Sequence, residues 1–316
     1  MPRQYYAIPA ILLLVSAIVM SGCQQREAAA DNTIKVGYLP ITHAAPLYIA
    51  NEQQEQFMQD ADIELIRFGT WIDLMDALNS GRIDGASVLF PLAMKAREKG
   101  IDIKATALGH EDGNAIIASH DIQQVEDLHG KTVAIPHTLS THNLLLDKML
   151  ENADMAYDDV NVVEMPPAEM PAALSEGRIE SYIVAEPFGA IGVTLDVGHV
   201  LGQSHQLWPG CLCCAMVFRQ SFLEDRPELA KQFMEGYVQA GEHAEDDLDA
   251  HLAYLNVEEE ALELSLEWIS YENLKVNRED YDYMTERVLD LNLMEQPPSY
   301  EEFVDTSLLE EIQRRP

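Results

Sequence analysis

Positive charge is what this 316-residue chain has least of: 20 Lys and Arg stand against 54 Asp and Glu, a formal charge of −34. A field of that sign repels nucleic acid and anionic lipid, so neither is expected as a partner. Cysteine is scarce too. Of four, three crowd into Cys211-Leu212-Cys213-Cys214 and the fourth is Cys23. Catalytic signatures are missing: there is no Gly-x-Ser-x-Gly elbow, no Walker loop and no His-Glu-x-x-His helix. No Asp-x-Asp-x-Asp-Gly loop is present either, which argues against calcium storage and leaves the acidity as a solvated coat suited to a salty, screening medium. A hydrophobic content of 47% supports a real core and excludes a disordered tail.

The N-terminus sets the compartment. Arg3 is the only charged residue before an apolar run, Ile8 to Met20, which leads into Ser21-Gly22-Cys23. A basic start, a short apolar core and small residues ahead of the cleavage point describe an export signal. The run is short for a permanent span. A cysteine directly after Ser-Gly resembles the bacterial lipobox, with Met20 where leucine is usual. That resemblance implies a signal peptide over 1–22, lipidation of Cys23 and a linker over 23–32. A mature chain of roughly 290 residues, enough for two domains, would then work outside the cytoplasmic membrane, touching it only through the lipid. An uncleaved anchor is the other reading.

Two stretches echo each other. "ALNSGRID" (Ala77–Asp84) and "ALSEGRIE" (Ala173–Glu180) place Gly81 and Gly177 96 residues apart. Each is preceded by a matching strand pattern, "IKVGYLP" and "KTVAIPH", and followed by another, "DGASVLF" and "ESYIVAEPF". Short apolar runs alternating with helical segments predict two similar parallel α/β lobes. The expected divisions are 33–118 for lobe 1 and 119–212 for lobe 2, with 213–316 a return strand and helices packing on lobe 1. "NAIIAS" and "CCAMVF" would be the crossover strands.

In this order, "VGYLPITHAAPLYIA", "GRIDGASVL", "EDLHGKTVAIP" and "YIVAEPF" resemble the solute-binding components of ABC importers. The likeness is to the nitrate/sulfonate/taurine/bicarbonate group, related to binders and synthases of the thiamine pyrimidine precursor, and runs over most of the mature chain. It implies an α/β, two-lobed periplasmic-binding-protein fold of type II, with parallel-rich sheets, helices on both faces and a ligand cleft between lobes. It also implies a non-enzymatic, monomeric receptor, without cofactor, that hands a small molecule to a membrane permease and its ATPase. The related synthases supply an enzymatic alternative, which the export signal disfavours.

In open α/β sheets, ligands sit at the carboxyl ends of strands, beside the helices that follow. That rule selects Thr42, His43, Trp71 and Phe90 from lobe 1. From lobe 2 it selects His137, Thr138, Ser140, Thr141, His142, Glu186 and Phe188, with Trp208, Cys211 and Cys213 from the return segment. Ser140 or Thr141 would equally serve as a helix N-cap, and Trp71 as core. The loops so chosen carry no Lys or Arg, which disfavours an inorganic oxyanion. A planar, partly apolar solute such as a pyrimidine suits Tyr38, Phe90, Phe188 and Trp208 better.

The cysteines leave several readings open. They could be small apolar residues of a buried strand, a soft-metal site formed by Cys211, Cys213 and Cys214 with nearby histidines, or the counterpart of the cysteine-rich run that the synthases tie to iron. Strand alternation predicts Cys211 and Cys213 on one side and Cys214 on the other. At least one of the first two is expected near His43 or His142, with Cys214 packed into a lobe.

Overall fold

The computed structural model describes residues 32–59 and 61–314. The expected signal peptide, Cys23 and nearly all of the linker lie outside them. Residues Ile34–Pro316 form one compact unit. Among the described residues no helix is long and apolar enough to cross a membrane.

In chain order the strands are β1 (Thr33–Tyr38), β2 (Asp62–Arg67), β3 (Gly85–Leu89), β4 (Ile103–Leu108), β5 (Glu111–Asp112) and β6 (Asn114–Ala118). Then come β7 (Thr132–Ile135), β8 (Asn161–Glu164), β9 (Ser181–Ala185), β10 (His199–Gln203), β11 (Cys214–Arg219) and β12 (Ile269–Ser270). One sheet runs β2-β1-β3-β11-β4 and the other β8-β7-β9-β6-β10. Position by position, the two orders match. In each, a strand from the crossing chain runs antiparallel to both its neighbours: β11 between β3 and β4, and β6 between β9 and β10. The sequence reading ended the first lobe at residue 118, but the Asn114–Ala118 strand pairs with Ser181–Ala185 and belongs to the second sheet. An all-buried apolar strand looks the same in either sheet; its pairing is not a local property.

The repeated octapeptide closes equivalent turns. Gly81 and Gly177 have φ of 75° and 67°. Their N–H groups donate to Leu78 and Leu174, and those of Arg82 and Arg178 to Ala77 and Ala173. A left-handed residue ends each helix, which is why glycine recurs there.

Central strands are buried along nearly all their length, as in β3, β9 and β11, whereas the outer strands β2 and β8 carry exposed residues at both ends. Apolar clusters cover the first sheet on both faces. On one, Phe218, Phe233, Tyr237 and Tyr48 pack together, bringing the helix Pro227–Gly241 onto the helix Ala45–Glu52. On the other, Phe90 lies edge-on to Tyr281 and Phe303.

Candidate functional site

Where β1, β4, β9 and β11 end or begin, polar side chains meet in the interior. The segment after β1 turns back so that the Thr42 N–H and hydroxyl both donate to the Glu186 carbonyl, at 2.9 and 3.0 Å. His43 follows, fully buried. Its Nε2 lies 2.7 Å from the Gly113 carbonyl. A carbonyl can only accept, so Nε2 carries the proton and Nδ1 keeps its lone pair. That lone pair faces Cys213 Sγ at 3.7 Å. The His110 ring lies over His43, centroids 3.5 Å apart, held close because Gly109 has no side chain: a Cβ there would stand 2.3 Å from the His43 carbonyl.

Cys213 Sγ also lies 3.3 Å from Asn114 Oδ1 and 4.0 Å from Cys214 Sγ. One ligand atom from each of His43, His110, Cys213 and Cys214 falls within 4.8 Å of all the others, and all four residues are buried. The backbone pins the two cysteines: the Cys213 carbonyl accepts from Phe90 N–H at 2.7 Å and the Cys214 carbonyl from Gly109 N–H at 2.9 Å.

Around this cluster stand more buried groups. Neither ring nitrogen of His110 or of His142 has a hydrogen-bond partner, nor does Glu186 Oε1. Glu186 Oε2 accepts from Ala190 N–H at 2.9 Å. Burial holds the His110 and His142 imidazoles well below their usual range, and a charge on His43 would push both further down. For His110 the backbone of Glu111 and Asp112 pulls weakly the other way. Burial pushes the Cys213 thiol well up, with Cys214 adding to the effect, and raises Glu186 to about 8. Each of these shifted groups is therefore held neutral at pH 7. Neutral imidazoles offer lone pairs, and the thiols can give up protons to an arriving cation.

The expected site residues divide. Thr42, His43, His142, Glu186 and Cys213 come together. Ser140 serves as N-cap of the helix Thr141–Asn152, accepting from Asn143 N–H at 3.2 Å, while the Thr141 hydroxyl donates to the Leu212 carbonyl. Thr138 is tied to Glu164, and the His137 Nδ1 accepts from Leu139 N–H at 2.8 Å. His137 and Trp71 instead line a separate cavity of about 220 Å³ with Pro136, Glu164 and Met165. Phe188 lines another, of about 340 Å³, with Ile41, Phe68 and Ala168.

Three expectations are corrected. Phe90 packs in the core between Tyr281 and Phe303, because the C-terminal helices cover that face. Trp208 stacks edge-on against Tyr283 beside Glu279 and Asp280, in an acidic surface groove. Cys213 lies against His43 as expected, Cys211 is buried outside the four-residue cluster, and Cys214, expected to pack into a lobe, joins it. The ladder begins only at Cys214, after Gly210 at φ 73°, so alternation does not govern 211–213 and two adjacent thiols reach one side.

His110 and Asn114 were missed. His110 follows the carboxyl end of β4, so the strand-end rule applied to that strand as well would have selected it. Arg67, at the end of β2, lines the Phe188 cavity and lay just outside the loops chosen.

Residues 27–255 match the model of the NMT1-like family. A solved ligand-binding component of an ABC-type import system from Staphylococcus aureus, with zinc bound, is 39% identical with a TM-score of 0.86, covering 90% of this chain and 100% of that one. The periplasmic nitrate-binding protein NrtA from Synechocystis PCC 6803 shares the fold at 20% identity and a TM-score of 0.80, over 90% of this chain and 89% of that one. The nitrate import ATP-binding protein NrtC of Synechocystis is 26% identical over 236 residues, 67% of this chain but 35% of that protein. The chain thus spans little more than a third of that relative's length. The α/β fold expected from sequence, that of periplasmic binding proteins, is the one found. With the family model matching most of its length, the chain belongs to the NMT1-like family.

Proposed function

We propose that this chain is the solute-binding component of an ABC import system. Its two halves act as lobes that close over one small solute and release it, unchanged, to a membrane permease with its own ATPase. It works as a monomer outside the cytoplasmic membrane, tethered through lipidated Cys23. The carrying observation is that His110, His142 and Glu186, drawn from both halves, are fully buried yet keep polar atoms without partners. Each such atom costs on the order of 1–3 kcal/mol, a cost that a ligand between the halves offsets. The likeness to an importer's ligand-binding component and to an import ATPase supports the partners.

Those relatives bind ligands of opposite charge, zinc in one and nitrate in another. The interior here favours the cation. Among the described residues no Lys or Arg is buried to balance an anion. Arg67 lines the Phe188 cavity.

The test is a thermal-shift and calorimetric screen of the full chain against metals, pyrimidines, sulfonates, nitrate and bicarbonate, with bound solute recovered and weighed by mass spectrometry. One solute should bind with one-to-one stoichiometry and return with unchanged mass, and His110→Ala should weaken it roughly tenfold or more. Recovery of an altered compound, or unchanged affinity in His110→Ala, would sink the receptor reading.

A further inference from the structure

We propose that His43, His110, Cys213 and Cys214 bind one thiophilic divalent cation of the zinc class, and that this ion is the solute; its role as cargo rests on the receptor reading above. The distances support it. Tetrahedral zinc with Zn–S of about 2.3 Å and Zn–N of about 2.0–2.1 Å requires S···S near ~3.8 Å and S···N near ~3.6 Å. Cys213 and Cys214 present their sulfurs 4.0 Å apart, and Cys213 Sγ stands 3.7 Å from His43 Nδ1. All four ligand atoms lie within 4.8 Å of one another, so side-chain shifts of up to about 1 Å bring them to tetrahedral spacing.

The tautomer of His43 suits the role. A metal-bound imidazole usually gives its other N–H to a carbonyl, which fixes the ring and sharpens the donor nitrogen. His43 does this already through Gly113. His110 has a free nitrogen to offer and no competing partner for either. Gly109, which admits no Cβ, brings the two rings together.

Charge selects the class of ion. Both cysteines are fully buried, and a net charge there would be expensive. On binding, each thiol loses its proton: M²⁺ joins two Sγ–H groups and two neutral imidazoles, forming two M–S and two M–N bonds and releasing two protons to solvent. Two thiolates then balance a divalent ion, and the buried centre is neutral overall. A monovalent cation in the same ligand set leaves a buried negative charge, and a trivalent one a positive charge. Hard ions such as Mg²⁺ and Ca²⁺ want oxygen ligands, which this cluster lacks.

The design also explains why adjacent cysteines occur at the mouth of a strand. A single cysteine with two histidines would leave a divalent ion one charge short. Cys211, outside the cluster, is not needed.

The reduced full chain should be titrated anaerobically with Zn(II) against a chelating indicator, with proton release followed in weak buffer and Co(II) used as a spectroscopic stand-in. One equivalent should bind, with about two protons released per ion and thiolate-to-cobalt charge-transfer bands of a tetrahedral site. Cys213→Ser, Cys214→Ser and His110→Ala should each weaken binding on the order of 100-fold, whereas Cys211→Ser should leave it unchanged. Wild-type proton release and the cobalt spectrum stand even if a variant folds poorly. Absence of a stoichiometric complex, no proton release, or a cobalt spectrum without thiolate bands overturns the proposal. If a different solute then stabilises the protein, the receptor reading survives. If the metal site is present but cells lacking the protein take up zinc normally under limitation, the cargo role falls.

Discussion

His43 and Cys213 face each other across the interior, Nδ1 to Sγ at 3.7 Å, with the far side of the imidazole anchored on the Gly113 carbonyl at 2.7 Å. One residue comes from the loop after β1 and the other from the segment entering β11. Their approach depends on how the chain crosses between sheets, since β11 must insert beside β3 and β4 to carry the cysteines there.

Gly109→Ala tests how tightly that approach is built. The new Cβ would meet the His43 carbonyl, so the backbone must give way. Stability should fall by about 1–3 kcal/mol in chemical denaturation, and solute affinity should fall with it. A variant as stable as wild type would show that the two loops are not in contact.

Glu186 and the buried histidines should shape stability in opposite directions. The Glu186 carboxyl is raised from 4.5 to about 8 in the folded protein. Between those values the unfolded chain has lost a proton that the folded one keeps, so stability declines as pH rises from about 4.5 to about 8 and levels off above. His110 and His142 are lowered below 6.5, so they take stability away as pH falls beneath that value. In Glu186→Gln the loss toward alkaline pH should vanish, with a gain on the order of 4 kcal/mol at about pH 8, while the acid loss persists. Denaturation midpoints across this range check the signs.

His142→Leu separates stability from function. Two unpartnered ring nitrogens are removed from a buried position, so the ligand-free protein should gain about 1 kcal/mol. Zinc affinity should hold at the same time, because His142 is not one of the four proposed ligands. Loss of stability would mean that the imidazole has partners the geometry does not reveal.

The internal repeat predicts paired effects. Gly81→Ala and Gly177→Ala both force a side chain into φ of 75° and 67°. Each should cost about 1 kcal/mol, and Gly81 more, because its Cβ would stand 3.3 Å from the Arg219 guanidinium while open space surrounds Gly177. Thermal unfolding of the two variants settles the comparison.

Much of this was legible in sequence because it is local. Apolar runs marked β1, β3, β7 and β9, and the octapeptide marked two equivalent helix ends. The rule that ligands gather at strand ends selected His43, His142 and Glu186, all three of which are fully buried. What it could not supply was long-range. β6 reads as a buried strand with no sign of which sheet it joins. Phe90 and Trp208 look like pocket aromatics until the C-terminal helices, whose docking is set by non-local packing, bring Tyr281 and Tyr283 against them. Cys214 was placed by an alternation run from Cys211, whereas the strand begins only at Cys214. His110 was within reach of the rule but lay after β4, a strand to which it was not applied.

The central claim is that the buried cluster at the start of β11 holds the solute. X-ray absorption on the zinc-loaded full chain tests it most directly. The account predicts a shell of two sulfurs at about 2.3 Å and two imidazole nitrogens at about 2.0–2.1 Å. A shell of oxygen and nitrogen alone, or one with three or more sulfurs, would contradict it.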